Sequence, residues 1–315
     1  LEIPEELSSI RTEKFCCQNK LLFLPLKEQD GAPETSHFIK LLHGVLDRFV
    51  MSHKEYEDWK NAVIEDDTVK SKEIQSRAQR RFKSFAEKNI NKSGEIGELA
   101  LFMLLETLFD APKIASKMKL KTNNNVHVHG ADAIYASINN NNQLLLYIGE
   151  AKFWGDYSAA VGDAVESIGK YLSSYNNIDK EVELINANIK DEVLQPELRQ
   201  SIIEYWTDYK KTTKIIHNVV VLIGFSRKEL FSDLKKLPLE ERNEKYRVNY
   251  QEKAESFINT FCNKLDVLDI DEPHSINFHF LALPFLNIQK LKRDFYQAAG
   301  LMTYLPNPKD LEEDS

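Results

Sequence analysis

A chain of 315 residues with 42% hydrophobic and 29% charged side chains can bury a large core, and this composition excludes the disordered and fibrous classes. No apolar stretch approaches the length of a membrane span and no charged-then-apolar leader is seen, so we expect a cytoplasmic protein. A net charge of -8 argues against coating nucleic acid by bulk electrostatics, so any such contact should be local, metal-assisted or supplied by a partner. Cys16, Cys17 and Cys262 have neither the number nor the spacing of a disulfide framework or a zinc site.

Residues 1–90 are predicted to form an N-terminal region of one strand followed by helices. The run LLFLPL at residues 21–26 has the character of a strand, and a Gly/Pro turn follows at residues 31–33. From about residue 37 onward, apolar side chains recur at the i, i+3 and i+4 positions of one helix face. The members of this face are Phe38, Leu41, Leu42, Val45, Leu46 and Phe49.

A further helix is predicted at about residues 68–88, where charged and amide side chains dominate. It carries the most basic local stretch of this half of the chain, at Arg77, Arg80, Arg81 and Lys83. A face that contacts phosphates is one interpretation, but a solvated helix face explains such a run more simply and is favoured.

The composition changes near residue 93, and we place the start of a second domain, residues 91–300, just before the run GEIGELALFMLLETLF at residues 94–109. This run is apolar almost all round, which is typical of a helix buried in a core. Its Gly97 would cost a helix about 1 kcal/mol relative to Ala, which suggests close approach to a sheet.

Two acids in this helix are candidates for a functional role. Glu98 heads an apolar stripe continued by Leu101 and Phe102, so its carboxylate is predicted to point inward. Glu95 competes for the role, but an acid in the first turn after a Ser93 cap also has a structural explanation, because it favours the helix dipole.

Two strands are predicted at residues 126–138 and 143–154, and the Asn residues 139–142 between them predict a tight hairpin turn. A helix follows at about residues 156–175. The run IIHNVVVLI at residues 215–223 is β-branched on both faces, which predicts a central strand covered by helices. The remaining predictions are a charged helical region at 227–266, a strand at 276–285, a closing helix at 288–299 and an acidic tail at 301–315, disordered from about residue 307.

The strand YIGEAKFW at residues 147–154 ends with two charged side chains. Because successive side chains alternate, Glu150 and Lys152 share one face with Ile148. Two strand rises separate their backbones by roughly 7 Å, so their charged ends can converge on one bound atom. Both faces of the strand are largely apolar, so these charges should meet partners or lie at a cleft.

A third charged residue, Asp132, lies on the neighbouring predicted strand after His129-Gly130-Ala131. Pairing across the Asn turn brings Asp132 toward Glu150, and a bulge at Gly130 could re-aim the acid. The two carboxylates and the Ala151 carbonyl oxygen make an oxygen cage suited to a hard cation such as Mg²⁺. Lys152 would then face the metal-bound water or the phosphate that the water attacks.

The order of these features carries more information than any one of them, since Glu-X-Lys alone is most often a surface ion pair. Gly-x-x-x-Glu on a buried helix, Gly-Ala-Asp on a strand, and an apolar strand ending Glu150-Ala-Lys152 before a helix together resemble the PD-(D/E)XK nuclease superfamily. The resemblance implies an α/β (α+β) restriction-endonuclease-like core of helix, hairpin and helix on a mixed central sheet flanked by helices. Ala131 stands where the usual Pro precedes the first strand acid, which weakens the match only slightly.

Within that superfamily, GEIGELALFMLLE, HGADAIYA and YIGEAKFW resemble the HamA family, the nuclease subunits of the Hachiman anti-phage defence system. The motif-bearing resemblance covers about residues 91–175. It implies a metal-dependent deoxyribonuclease paired with a helicase subunit, HamB, that restrains it until phage infection or DNA damage.

The hypothesis for the chemistry is phosphodiester hydrolysis in DNA. Asp132 and Glu150, with the Ala151 carbonyl and with Glu98 directly or through water, would hold one or two Mg²⁺ ions, for which Mn²⁺ is a possible substitute. Lys152 would orient the attacking water and offset charge developing on the phosphate.

Other interpretations of single residues remain open. His127 and His129 share a strand face near the predicted site and could form a transition-metal site, although ordinary strand histidines are favoured. Lys170, with the Ser167 and Ser174 side of its helix, could meet the DNA backbone, although a solvated face is favoured. The other functional classes are a catalytically silent DNA-binding or helicase-regulating module and a stand-alone restriction-type endonuclease.

Overall fold

The protein is a mixed α/β chain, and a computed structural model describes most of its residues. The described residues are 8–11, 16–21, 35–89, 94–116, 133–172, 195–207, 215–266 and 276–300. Within these ranges no helix combines the length and the apolar character that crossing a membrane requires.

Strands and helices are numbered separately in chain order. The strands are β1 (Ser8–Arg11), β2 (Cys16–Leu21), β3 (Lys113–Ser116), β4 (Ala133–Ile138), β5 (Leu144–Trp154), β6 (Ile215–Ser226) and β7 (Ile276–Phe285). The helices are α1 (Thr35–Val50), α2 (His53–Ile64), α3 (Thr68–Asn89), α4 (Glu95–Leu108), α5 (Tyr157–Leu172), α6 (Pro196–Thr207), α7 (Lys228–Lys235), α8 (Leu239–Asp266) and α9 (Ile288–Ala298).

The strands hydrogen bond in the order β1, β2, β7, β6, β5, β4, β3. The β1–β2, β3–β4 and β4–β5 pairs are antiparallel, whereas β2 and β7 are parallel, so the sheet is mixed. Three helices, α1 to α3, follow β2 in the N-terminal part of the chain. These features confirm the predicted fold class, while the specific PD-(D/E)XK core stays a prediction.

Several boundaries differ from those predicted. Of the strand expected at residues 21–26, only Leu21, the last residue of β2, is described, because residues 22–34 lie outside the described part. Of the strand expected at 126–138, only β4 is described, and the acidic tail also lies outside. The charged region expected at 227–266 forms two helices, α7 and α8, and α2 and α6 were not predicted at all.

The chain divides into two compact units that interleave along the sequence. The first comprises residues 1–41, 150–169 and 219–315, and the second comprises residues 42–149 and 170–218. Strands β5 and β6 contribute residues to both. The predicted domain limits, which divide the chain by sequence character rather than by contacts, stay a prediction.

The first unit has an aromatic core on both faces of β7. The Phe285 ring lies 5.5 Å from that of Phe38 in α1 and 5.7 Å from that of Phe153 in β5, measured between centroids. Phe280 instead packs against Phe261 of α8 at 5.0 Å. Because Phe280 and Phe285 are an odd number of residues apart, they point to opposite faces of the strand, which α8 and α1 respectively cover.

In the second unit, α4 packs against one face of β5. A Cβ built on Gly149 would lie 2.8 Å from Leu101 Cδ2, and the Phe109 and Tyr147 rings are 5.3 Å apart. Helix α4 therefore runs antiparallel to β5, and its first turn lies nearer to Gly149 than to Tyr147. The predicted burial of α4 on nearly all sides is confirmed.

The opposite face of the β4–β5 hairpin packs against α6. Leu144 and Leu146 of β5 form one buried cluster with residues of β4 and with Leu198 and Ile202 of α6. Since Leu146 and Tyr147 are adjacent on the strand, α6 and α4 lie on opposite faces of β5. Helices therefore cover both faces of this part of β5, which agrees with the apolar side chains seen on both faces in the sequence.

The pair α2 and α3 is held by polar contacts. Ser52 and Glu55 form a capping box at the start of α2, and the Arg81 guanidinium of α3 donates two hydrogen bonds to Glu55. Of the other residues in the basic stretch, Arg77 pairs with an acid on its own helix, and Arg80 and Lys83 are exposed. The favoured interpretation of a largely solvated face is confirmed.

Candidate active site

The candidate site begins with an ion pair on β5. The Lys152 ammonium lies 2.5 Å from Oε1 of Glu150, and the two side chains share one face of the strand as predicted. The Glu150 side chain is only 2% exposed and the Lys152 side chain is 21% exposed. A carboxylate this deeply buried is expensive to desolvate, and a neighbouring ammonium offsets part of that cost.

The face of β5 that carries this pair opens to solvent toward the end of the strand. Exposure rises from Glu150 through Lys152 to Trp154, which is 48% exposed, whereas Phe153 between them is 4% exposed. The ring of Phe153 is enclosed, because Gly224 of β6 approaches it closely and Phe285 packs on it. The strand thus keeps one face in the core while its other face emerges at Lys152.

The backbone that follows the pair is fixed by hydrogen bonds. The Ser226 amide donates to the Gly155 carbonyl oxygen at 3.1 Å, which ties the end of β5 to the end of β6. The Asp156 carboxylate accepts from the Ala159 amide at 2.7 Å, as an N-cap side chain does at the start of a helix. The charged pair therefore stands on a fixed strand and not on a loop.

Tyr157, in the first turn of α5, is part of the packing near this strand end. Its ring lies 5.0 Å from that of Phe225 in an edge-to-face arrangement. Burial, and to a smaller extent the neighbouring Cys262 thiol, raises the pKa of the Tyr157 phenol. The phenol is therefore protonated at neutral pH and does not serve as a general base.

The two acids of α4 differ in burial from the sequence-based expectation. Glu95 is 1% exposed, whereas Glu98, predicted to be the inward acid, is only partly buried. The helix begins at Glu95 with Gly94 as its N-cap and no side-chain cap. Because α4 is buried on nearly every side, an apolar stripe could not identify which acid lies deeper, and burial favours Glu95.

Of the other predicted site residues, some lie outside the described part of the chain and some lie within it. Asp132 and the neighbouring His127 and His129 lie outside the described residues. Lys170 is described and exposed, in agreement with a solvated face. Within the described ranges no group of three or more His, Cys, Asp or Glu side chains could hold a metal ion.

The described donors nevertheless suit a hard divalent cation in type. Such ions prefer carboxylate and carbonyl oxygens, and Glu150 supplies a carboxylate directly beside the Ala151 carbonyl. The last described pair of the β4–β5 ladder is Ala133 with Gly149. In the sequence, Asp132 directly precedes Ala133 and Glu150 directly follows Gly149.

Trp154 is the residue that sequence reasoning passed over. Its parity places it on the same strand face as Glu150 and Lys152, and this could have been read from the sequence. The exposure of Trp154 could not be read from the sequence, because nothing in the sequence marks where the layer that covers β5 ends.

These features define a mixed α/β protein whose central strand carries a buried glutamate paired with a partly exposed lysine. A family model for HamA matches residues 3–299, nearly the whole chain, and the protein belongs to the HamA family. The resemblance predicted from the sequence is confirmed, and it extends well beyond the motif-bearing region. No curated protein matches the chain. Family membership makes the protein a component of a Hachiman antiviral defence system, which includes a partner.

Proposed function

We propose that the protein is a metal-dependent nuclease of PD-(D/E)XK type that hydrolyses phosphodiester bonds in DNA. The observation that carries this proposal is the ion pair of Glu150 and Lys152 at the point where one face of β5 becomes exposed. A buried carboxylate next to an ammonium, at the edge of a core, is the arrangement that a phosphoryl-transfer site needs for a cation and for developing negative charge.

The proposed ligands of Mg²⁺, or of Mn²⁺ in its place, are Glu150, the Ala151 carbonyl oxygen, Asp132 and one acid of α4. That acid is Glu98 as predicted from the sequence, or Glu95 on the evidence of burial. When bound, the ion supplies Lewis-acid chemistry at the scissile phosphate.

The proposed role of Lys152 is to orient the attacking water and to offset charge that develops on the phosphate oxygens. Its contact with Glu150 restricts a long and otherwise mobile side chain, so that its ammonium is already near its working position. A carboxylate can accept from a lysine through one oxygen and bind a cation through the other, so the pair and a metal are compatible.

The proposed partner is a helicase subunit, HamB, that restrains the nuclease until phage infection or DNA damage. The support is membership of the HamA family, together with a net charge of -8 that makes unaided electrostatic attraction to DNA weak. In this proposal the partner delivers the DNA strand to the site.

The experiment is a DNA cleavage assay with and without Mg²⁺ on the variants Glu150→Gln and Lys152→Met. Both changes preserve side-chain size while removing the charge, so the fold should be retained. We expect each to lower Mg²⁺-dependent cleavage by at least about 100-fold, the usual cost of losing a general catalytic group.

The exposed pair of Lys236 and Asp233, with a separation of 2.7 Å, is the matched control. Asp233→Asn and Lys236→Met remove an ion pair whose two side chains are both mostly exposed, and they should leave cleavage unchanged. Full cleavage by either site variant, or Mg²⁺-independent cleavage, would contradict the proposed site. Absence of cleavage by the wild-type protein would favour a catalytically silent module.

A further inference from the structure

Trp154 is the large exposed side chain on the face of β5 that carries the candidate active site. It lies two residues beyond Lys152, so two strand rises, roughly 7 Å, separate their backbones. We propose that Trp154 stacks against an unpaired base of the nucleic-acid strand whose phosphate is bound at Glu150 and Lys152. The inference rests on the proposed nuclease function and adds its substrate class, a strand with at least one unstacked base beside the cleaved bond.

The indole is presented by a rigid backbone. On one side of it Phe153 is enclosed by Gly224 and Phe285, and on the other the Gly155 carbonyl accepts the Ser226 amide. A ring attached to a fixed strand loses little conformational entropy when a base packs on it. The entropic cost of ordering the ring therefore does not cancel the free energy gained by stacking.

The surroundings of Trp154 favour a base over a protein surface as the occupant. Trp154 is the only exposed large apolar side chain in residues 150–169, all of which the structure describes. Protein interfaces have cores of several apolar side chains with a polar rim. A single flat ring beside an ammonium is instead what proteins use to bind a base and its phosphate, and it does not require a particular base.

The experiment measures the affinity of fluorescently labelled oligonucleotides by anisotropy, in the non-cleaving Glu150→Gln background. The probes are a single-stranded DNA, an RNA of the same sequence and a blunt DNA duplex. We expect Trp154→Ala to weaken binding of single strands by about 5-fold to 100-fold, the range for loss of one stacked base. Trp154→Phe should restore most of the affinity, whereas Trp154→Leu should not, and the blunt duplex should be affected least.

Leu239→Ala is the matched control, because Leu239 belongs to the same unit and is also 48% exposed. It should not change the affinity for any probe. A Trp154→Ala variant with unchanged affinity for single strands would overturn the inference, and so would equal rescue by Leu and Phe. Loss of helicase co-purification with no loss of nucleic-acid affinity would also overturn it, since Trp154 would then contact a protein.

The inference and the proposed function fail in different ways. If Trp154→Ala binds normally while the wild-type protein still cleaves with Mg²⁺, only the stacking role is wrong. If the wild-type protein never cleaves, the nuclease proposal is wrong, whatever the Trp154 variants do in the binding assay.

Discussion

Among single residues, Glu106 has a carboxyl group whose pKa is changed by burial. It lies near the end of α4 and forms an ion pair with Arg48 of α1. Burial raises the pKa of Glu106, and the charges of Arg48 and Lys113 oppose this by lowering it. Lys113 is itself buried, donating a hydrogen bond to the Phe49 carbonyl oxygen at 2.5 Å.

A raised pKa in the folded state fixes the sign of a pH effect. The folded protein holds the Glu106 proton more tightly than the unfolded chain does. The associated stability is therefore complete below the ordinary pKa of 4.5 and is lost as pH rises through the folded value. We expect the free energy of unfolding of the wild type to fall relative to that of Glu106→Gln over this window, as measured by urea denaturation at several pH values.

Glu73→Gln is the control for this prediction, since Glu73 pairs with Arg77 on the exposed surface of α3. Its difference from the wild type should be small at every pH. A difference for Glu106→Gln that stays constant, or that changes in the opposite direction, would show that burial of Glu106 does not govern its ionisation.

Among the elements, β5 and β6 depend on two glycines where a side chain has no room. A Cβ on Gly224 would lie 2.6 Å from the Phe153 ring, which is itself packed against Phe285. A Cβ on Gly149 would meet Leu101 Cδ2 at 2.8 Å, the end of a flexible side chain. The first contact is with a ring that cannot turn away, and the second is with a group that can.

The glycines should therefore differ in their tolerance of alanine. We expect Gly224→Ala to lower the free energy of unfolding by about 3 kcal/mol and Gly149→Ala by about 1 kcal/mol, the two ends of the usual range for overpacking. Gly44 of α1 has nothing within 4 Å of a built Cβ, so Gly44→Ala should stabilise the helix by about 1 kcal/mol. Chemical denaturation measures all three, and a Gly224 variant no less stable than the Gly149 variant would contradict this packing account.

On the scale of the whole molecule, the sequence predicted the elements with a strong apolar pattern. It missed the short strands β1 and β3 and also the helices α2 and α6, which have 12 residues each. Strand β6 and helix α4 contain continuous runs of apolar residues, which can be recognised in the sequence without any knowledge of the tertiary structure. Strands β1 and β3 have four residues each, too few to show an alternation. The break between α7 and α8 falls at residues 236–238, and Pro238 directly precedes α8. A proline is common at the start of a helix. This signal was missed because the region is charged throughout.

The candidate site was predictable where charges interrupt an apolar strand. Glu150 and Lys152 stood out because β5 is otherwise apolar, and the structure pairs them. The choice between Glu95 and Glu98 was not predictable, because a helix buried all round has no single inward face. The exposure of Trp154 depends on where the layer covering β5 ends, which is a tertiary property.

The central claim is that Glu150 holds a divalent cation beside Lys152. The most direct measurement is a calorimetric titration of Mg²⁺ and Mn²⁺ into the wild-type protein, Glu150→Gln and Lys152→Met. We expect the wild type to bind the ions, Glu150→Gln to lose at least about 10-fold in affinity, and Lys152→Met to bind at least as tightly because a competing positive charge is gone. Equal affinity of the wild type and Glu150→Gln would contradict the claim.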